Sequence, residues 1–146
     1  MHWRIISVGK PSFSWAKVAV DFYLKRLQHY TKVAQICVRD GHQVQVESQL
    51  LIASEKTFRI ILDERGKDLR SLDLAHWIGN QKLAGTKRVS VIIGGADGHS
   101  ESFRQHADAI WNLSSFTLQH EVALIVLMEQ IYRAHTILNG EPYHRE

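Results

Sequence analysis

Cysteine is almost missing from this chain. Cys37 is the only one in 146 residues, so no intrachain disulfide can brace the fold. It lies in the apolar run Val33–Val38 and reads as a small buried hydrophobe rather than a catalytic thiol. Proline occurs only at Pro11 and Pro142, and no Pro/Gly-rich linker, internal repeat or low-complexity tract divides the sequence. A single domain over residues 1–146 is therefore expected. No long hydrophobic run is present: the longest, Val122–Met128, is far too short to cross a bilayer. The N-terminal stretch MHWRIISVGK lacks the apolar core and cleavage site of a secretory signal, which predicts a cytoplasmic protein with no membrane partner. Charge of one sign is scarce too. A net +3 with a pI near 9.1 permits an anionic partner without requiring one, and is too weak for binding nucleic acid by charge alone.

What remains is an ordinary globular composition, 45% apolar and 23% charged, in a chain long enough to bury a core. Trp3–Val8, Val33–Val38, Phe58–Leu62 and Val89–Ile93 are apolar throughout, as strands covered on both faces are. Asp63–Gly66 reads as a polar turn ending the third of them. Asn112–Leu118 reads as a further strand. Between them fall helical patterns. One follows Pro11 and Ser12 and carries Trp15, Val18, Phe22, Leu27 and Tyr30 on its apolar face. Another is capped by Ser71 and carries Leu72, Ala75, Trp77 or Ile78, and Leu83. A short polar helix is expected over Ser100–Ile110, and a last one over Glu121–Asn139, ended by Gly140. Asp40–Glu55 shows no clear pattern. The alternation predicts an α/β fold with a mostly parallel sheet and helices on both faces. Ligands of such sheets sit beyond the carboxyl ends of the strands, here Leu62–Gly66, Gly94–Gly98 and Leu113–Leu118.

Several motifs fall in those places. Gly94-Gly95-Ala96-Asp97-Gly98 follows a strand and exposes backbone to a ligand, although it matches neither the dinucleotide fingerprint nor a phosphate loop. A plain turn and a binding loop both remain open there. His120-Glu121 lacks the second histidine of a zinc site, since Leu124 stands where it is needed, so no metal is expected. The final helix is apolar on nearly every face over Val122–Met128, which calls for cover on more than one side and makes a second chain a natural source. Glu129 and Arg133 are four apart on that helix, spaced for an ion pair. The terminal Tyr143-His144-Arg145-Glu146 gathers the groups that hold an unstacked base beside a phosphate, though it also fits a frayed end.

Taken together, Ile-Gly-Gly-x-x-Gly at Ile93–Gly98, Leu-Ser-x-x-Thr-Leu at Leu113–Leu118, Glu-Gln-x-Tyr-Arg-Ala at Glu129–Ala134 and the terminal Pro-Tyr-His-Arg-Glu closely resemble the RlmH family. These are ribosomal RNA large subunit methyltransferases of the SPOUT superfamily. The likeness runs end to end and is strongest from Val89 onward. It implies a C-terminal trefoil knot, a homodimer, and S-adenosyl-L-methionine as cofactor. The donor is implied to lie against Leu62, Gly94, Gly95, Leu113, Ser114, Ser115, Phe116, Thr117 and Leu118. The implied reaction methylates N3 of a pseudouridine in 23S ribosomal RNA, free or within an assembled ribosome. The donor's methyl is already activated, so the chain need supply only position and charge. His144 is then expected as base or hydrogen-bond partner, Arg145 or Arg133 as stabilisers of developing negative charge, and Tyr143 as a stacking or hydrogen-bonding group. Three departures stand out: Leu124 where arginine is common, Ala96-Asp97 in place of a proline–acid pair, and an Asp40–Glu55 region short of lysine. They leave a non-catalytic RNA- or ribosome-binding protein as the alternative.

Overall fold

The computed structural model describes residues 1–95 and 97–145; Ala96, part of the glycine-loop departure, and Glu146, the last residue of the tail, lie outside the described residues. Five strands form one sheet: β1 (His2–Val8), β2 (Lys32–Val38), β3 (Phe58–Asp68), β4 (Arg88–Ile92) and β5 (Ala109–Asn112). Their order is β2-β1-β4-β3-β5 and every pairing is parallel. The doubly apolar strands explain this directly. Ile5, Ile60 and Val91 point to one face while their neighbours Ile6, Ile61 and Ile92 point to the other, and all are fully buried. In register, Ile5 and Ile60 both meet Val91, and Ile6 and Ile61 both meet Ile92, so each face carries a continuous apolar row. Each such side chain contributes roughly 1.5–3 kcal/mol on burial.

Helices cover both rows, as the strand pattern predicts. One face takes α1 (Ser14–Leu27), α3 (Ser71–Leu83) and α5 (His120–Leu138); the other takes α2 (Gln43–Ala53) and the single turn α4 (Glu101–Arg104). Helix α5 lies between α1 and α3, so much of its apolar surface is covered by its own chain. It is tied to α1 at both ends. The Glu121 carboxylate accepts Ser12 N–H and Oγ–H at 2.9 Å each and Phe13 N–H at 3.3 Å. Beyond the other end, Tyr30 Oη donates to Glu141 at 2.7 Å. Gly140 ends α5 with φ of +69°, a left-handed conformation that glycine adopts without strain.

Several expectations are corrected. Leu27 is buried as expected, but Trp15, Val18 and Phe22 face away from the core at 50%, 71% and 47% exposure, and α1 buries Ala16 and Val20 in their place. Small residues let the helix sit close to the sheet, which leaves the bulkier stripe outside. In α3, Leu74, Ala75 and Ile78 are buried while Leu83 is 89% exposed. Ser71 is not its cap: the Asp73 carboxylate accepts Arg70 N–H at 2.8 Å, and Ser71 Oγ donates to Gln130 at 2.6 Å. The patternless Asp40–Glu55 contains α2. The predicted Ser100–Ile110 helix lasts one turn, because Asp108 exchanges hydrogen bonds with the Arg59 backbone and draws the chain into the sheet as β5.

Two changes bear on the site. Asp63–Gly66 does not end β3. It bulges out, and the strand resumes on the same neighbour, with both Leu62 and Lys67 opposite Trp111. Gly66 permits this, since a Cβ there would lie 2.5 Å from the Trp111 carbonyl carbon. The strand expected over Asn112–Leu118 stops at Asn112, where Asp68, the last partner on β3, runs out.

Candidate functional site: three loops around Leu62 and a folded-back tail

Beyond the sheet's carboxyl edge, three segments far apart in sequence converge on Leu62. It lines a cavity of about 660 Å³ with Gly94, Gly95, Gly98, Thr117 and Leu118, and a narrower one of about 210 Å³ with Leu113–Leu118. It also borders an apolar cavity of about 480 Å³ with Leu69, Trp111, Leu113, Leu127 and Ile131. All nine predicted donor contacts therefore face one or more of these connected spaces. Among the described residues, Ser114–Leu118 makes no backbone–backbone hydrogen bond, and its one recorded bond is Phe116 N–H to Ser114 Oγ at 3.0 Å. A run of free N–H and C=O groups beside apolar walls fits a flat heterocycle with donors and acceptors on its edge, such as adenine. The glycine loop adds a surface without side chains: at Gly94 a Cβ would come 2.9 Å from His99 Nε2. Gly98 has φ of +66°.

Tyr143 and His144 of the terminal tail are not frayed. They fold back on α5, where Glu129 collects contacts. Arg133 donates to Glu129 Oε1 from Nε at 3.0 Å and from Nη2 at 2.7 Å. Tyr143 Oη donates to the same oxygen at 3.0 Å, and Gln130 donates to the other at 2.8 Å. The Arg133 guanidinium lies over the Tyr143 ring at 4.8 Å, and Tyr132 meets that ring edge-on at 4.9 Å. Partial burial, and then the Glu129 carboxylate, push the Tyr143 phenol up to about 12, so it stays neutral and donates. Hydrogen bonds to Glu129 raise the Arg133 pKa further.

His144 has one revealing contact, Arg133 Nη1 to its Nδ1 at 3.1 Å. A guanidinium has donors only, so Nδ1 accepts and the neutral ring carries its proton on Nε2. Nε2 is buried without a partner among the described residues, and the ring lines the 480 Å³ cavity beside Leu62 and Leu113. His144 thus brings the tail to the same cavity as Leu62 and Leu113, where the donor is expected. Arg133, Tyr143 and Arg145 line none of the three cavities, and Arg145 is exposed. Sequence reasoning missed His99, buried in the glycine loop's shadow, and the part of Glu129 in holding Tyr143. The histidine directly after Gly98 was the available signal.

A doubly covered parallel sheet with its cavities at three converging carboxyl-end loops defines the class of doubly wound α/β folds, and comparison with known proteins narrows it. The family described as "Predicted SPOUT methyltransferase" matches residues 1–144, and the chain belongs to it. A Deinococcus radiodurans protein named "Ribosomal RNA large subunit methyltransferase H" is 40% identical over 146 residues, covering 99% of each chain. A Thermus thermophilus protein of the same name is 39% identical over 149 residues, again with 99% of each covered. Among solved structures, a probable methylase family protein from Haemophilus influenzae superposes with a TM-score of 0.60 at 11% identity, covering 99% of this chain and 70% of that one. This last likeness concerns the fold.

Proposed function

We propose that this chain methylates N3 of a pseudouridine in large-subunit ribosomal RNA, using S-adenosyl-L-methionine. The observation that supports the reading is that His144 lines one cavity with Leu62 and Leu113, two of the residues to which we assign the donor. Leu62, Gly94, Gly95 and Leu113–Leu118 hold the donor, which supplies a methyl already activated on a sulfonium.

The protein's own part is position and charge. The Ser114–Leu118 backbone and the glycine loop fix the donor's orientation, and the apolar walls exclude water. The target imide gives up its N3 proton to solvent water as it docks, and the anion left behind is held by cations and hydrogen-bond donors nearby until N3 takes the methyl. His144 serves as a donor through Nε2–H to a base carbonyl next to N3, because Arg133 occupies its other nitrogen. Arg133 contributes charge through His144, and the exposed Arg145, next to His144 in the chain, meets the RNA backbone. Tyr143 acts by holding the tail, since its hydroxyl is committed to Glu129.

We infer a homodimer and a knotted C-terminal half on the same footing. The exposed stripe Trp15, Val18 and Phe22, extended by Phe13 stacked on Trp15 at 5.5 Å, supports a self-association face. A knot accounts for three remote loops closing on one leucine. No described helix is long and apolar enough to cross a membrane. Removing Tyr143–Glu146 tests the central claim: methylation of ribosomes from a strain lacking the activity should vanish while donor affinity by calorimetry stays nearly unchanged. Full turnover by the truncated chain overturns it. A full chain that binds ribosomes but no donor would be the non-catalytic binder instead.

A further inference from the structure

His99 lines the 660 Å³ cavity together with Asp63–Arg65 of the bulge and the approach to α5. It is only 9% exposed, yet among the described residues neither ring nitrogen has a hydrogen-bond partner. The ring is stacked on Phe103 at 5.0 Å and held beneath Gly94. The Leu62 carbonyl faces it without closing a bond of good geometry. Burial, set against the nearby Asp63 and Glu47 carboxylates, lowers the imidazole's pKa and keeps it neutral. A neutral imidazole offers one N–H and one lone pair, and leaving both unanswered in a buried site is unfavourable.

We propose that His99 is a further donor-binding residue that hydrogen-bonds the ribose hydroxyls of S-adenosyl-L-methionine. The proposal rests on the donor-site reading above. The donor's other polar groups fit less well. Arg65, which lines the same cavity, is the natural partner of the donor's carboxylate. Glu64 and Asp97 line it too and suit the ammonium, whereas Asp63 is already paired with Arg65 at 3.2 Å and Arg104 at 3.7 Å. The adenine edge is matched by the free backbone of Ser114–Leu118. A hydroxyl, which both donates and accepts, is the remaining match for an imidazole with both functions open. The sugar also joins adenine to the amino-acid arm, and His99's cavity shares Leu62, Glu64, Ile93, Thr117 and Leu118 with the narrower adenine-sized one. A ribose at that shared wall connects the two.

The test is calorimetric titration of the full chain with S-adenosylhomocysteine and with its 2′,3′-dideoxy counterpart, for the unaltered protein and for His99→Phe. The substitution is expected to weaken the hydroxylated ligand about tenfold, the loss of one to two good hydrogen bonds, and to leave the dideoxy ligand within about twofold. Equal losses for both ligands, or no loss for either, overturn the proposal. If His99→Phe does not fold, as judged by its melting transition, His99→Leu is read in the same way. An unaltered chain that binds neither ligand removes the donor-site reading itself, and is told apart from the other outcomes by that.

Discussion

Glu129→Ala separates a tail held for catalysis from one merely tied down. The carboxylate receives two bonds from Arg133, at 3.0 and 2.7 Å, and one from Tyr143 at 3.0 Å. The ion-paired side chains are 22% and 18% exposed, so solvent screens the pair only in part. Truncation leaves a half-buried guanidinium without its anion and a phenol without its acceptor. The net destabilisation expected is about 2 kcal/mol. In a chain of this size that lowers the melting temperature by about 4–8 °C. The tail also loses its main anchor, and each ~1.4 kcal/mol of positioning lost slows turnover about tenfold. Single-turnover methylation of unmodified ribosomes should therefore fall at least about tenfold, with donor affinity within about twofold of normal. Glu129→Gln, which keeps an acceptor for Tyr143 but no charge, should fall between. A Glu129→Ala protein that melts early yet methylates at the unaltered rate would refute the reasoning, and so would parallel loss of donor binding.

Other outcomes follow from the same coordinates. His135 is buried between Tyr30 and Trp3, and burial pushes its pKa down to about 4. The unfolded chain takes up this proton below about pH 6.5 and the folded one only near 4, so stability is full above that window and declines through it. The loss approaches roughly 3 kcal/mol, and urea midpoints should show a flatter acid limb for His135→Leu; parallel limbs count against it. Gly66→Ala forces a Cβ to within 2.5 Å of Trp111 backbone, which cannot swing aside as a side chain can. A cost above about 2 kcal/mol is expected, and an unshifted denaturation midpoint would contradict it. Placing glutamate at both Trp15 and Phe22 should convert a dimer of 16.8 kDa chains to monomer in sedimentation; an unchanged mass argues against association through α1.

The sheet was legible because its strands must be apolar on both faces, and Ile5-Ile6 and Ile60-Ile61 announce that without help from elsewhere. Helix α2 was not. Val44 and Ile52 are exposed on it while Val46 and Leu50 are buried, so its apolar residues form no single stripe. The α1 face was misread for a related reason. Bulk was taken for burial, but close approach to the sheet selects Ala16 and Val20. Leu113–Leu118 has the composition of a strand and lacks only a neighbour to pair with, which no local pattern records. The residues of the tail were recognisable by their chemistry and by resemblance. The sequence spacing supplied Arg133 as Glu129's partner; the return of Tyr143 and His144 to the same helix is a long-range event. The proposal of His144 as a donor rather than a base could come only from seeing which nitrogen Arg133 occupies.

Because Glu121 clasps Ser12 and Phe13 at one end of α5 and Glu141 meets Tyr30 near the other, the first thirty residues are mechanically yoked to the helix that bears the tail. Variation in that opening segment, remote from the methyl donor along the chain, will register as changes in turnover. A library screened for activity should find sensitive positions clustered there as densely as at the glycine loop.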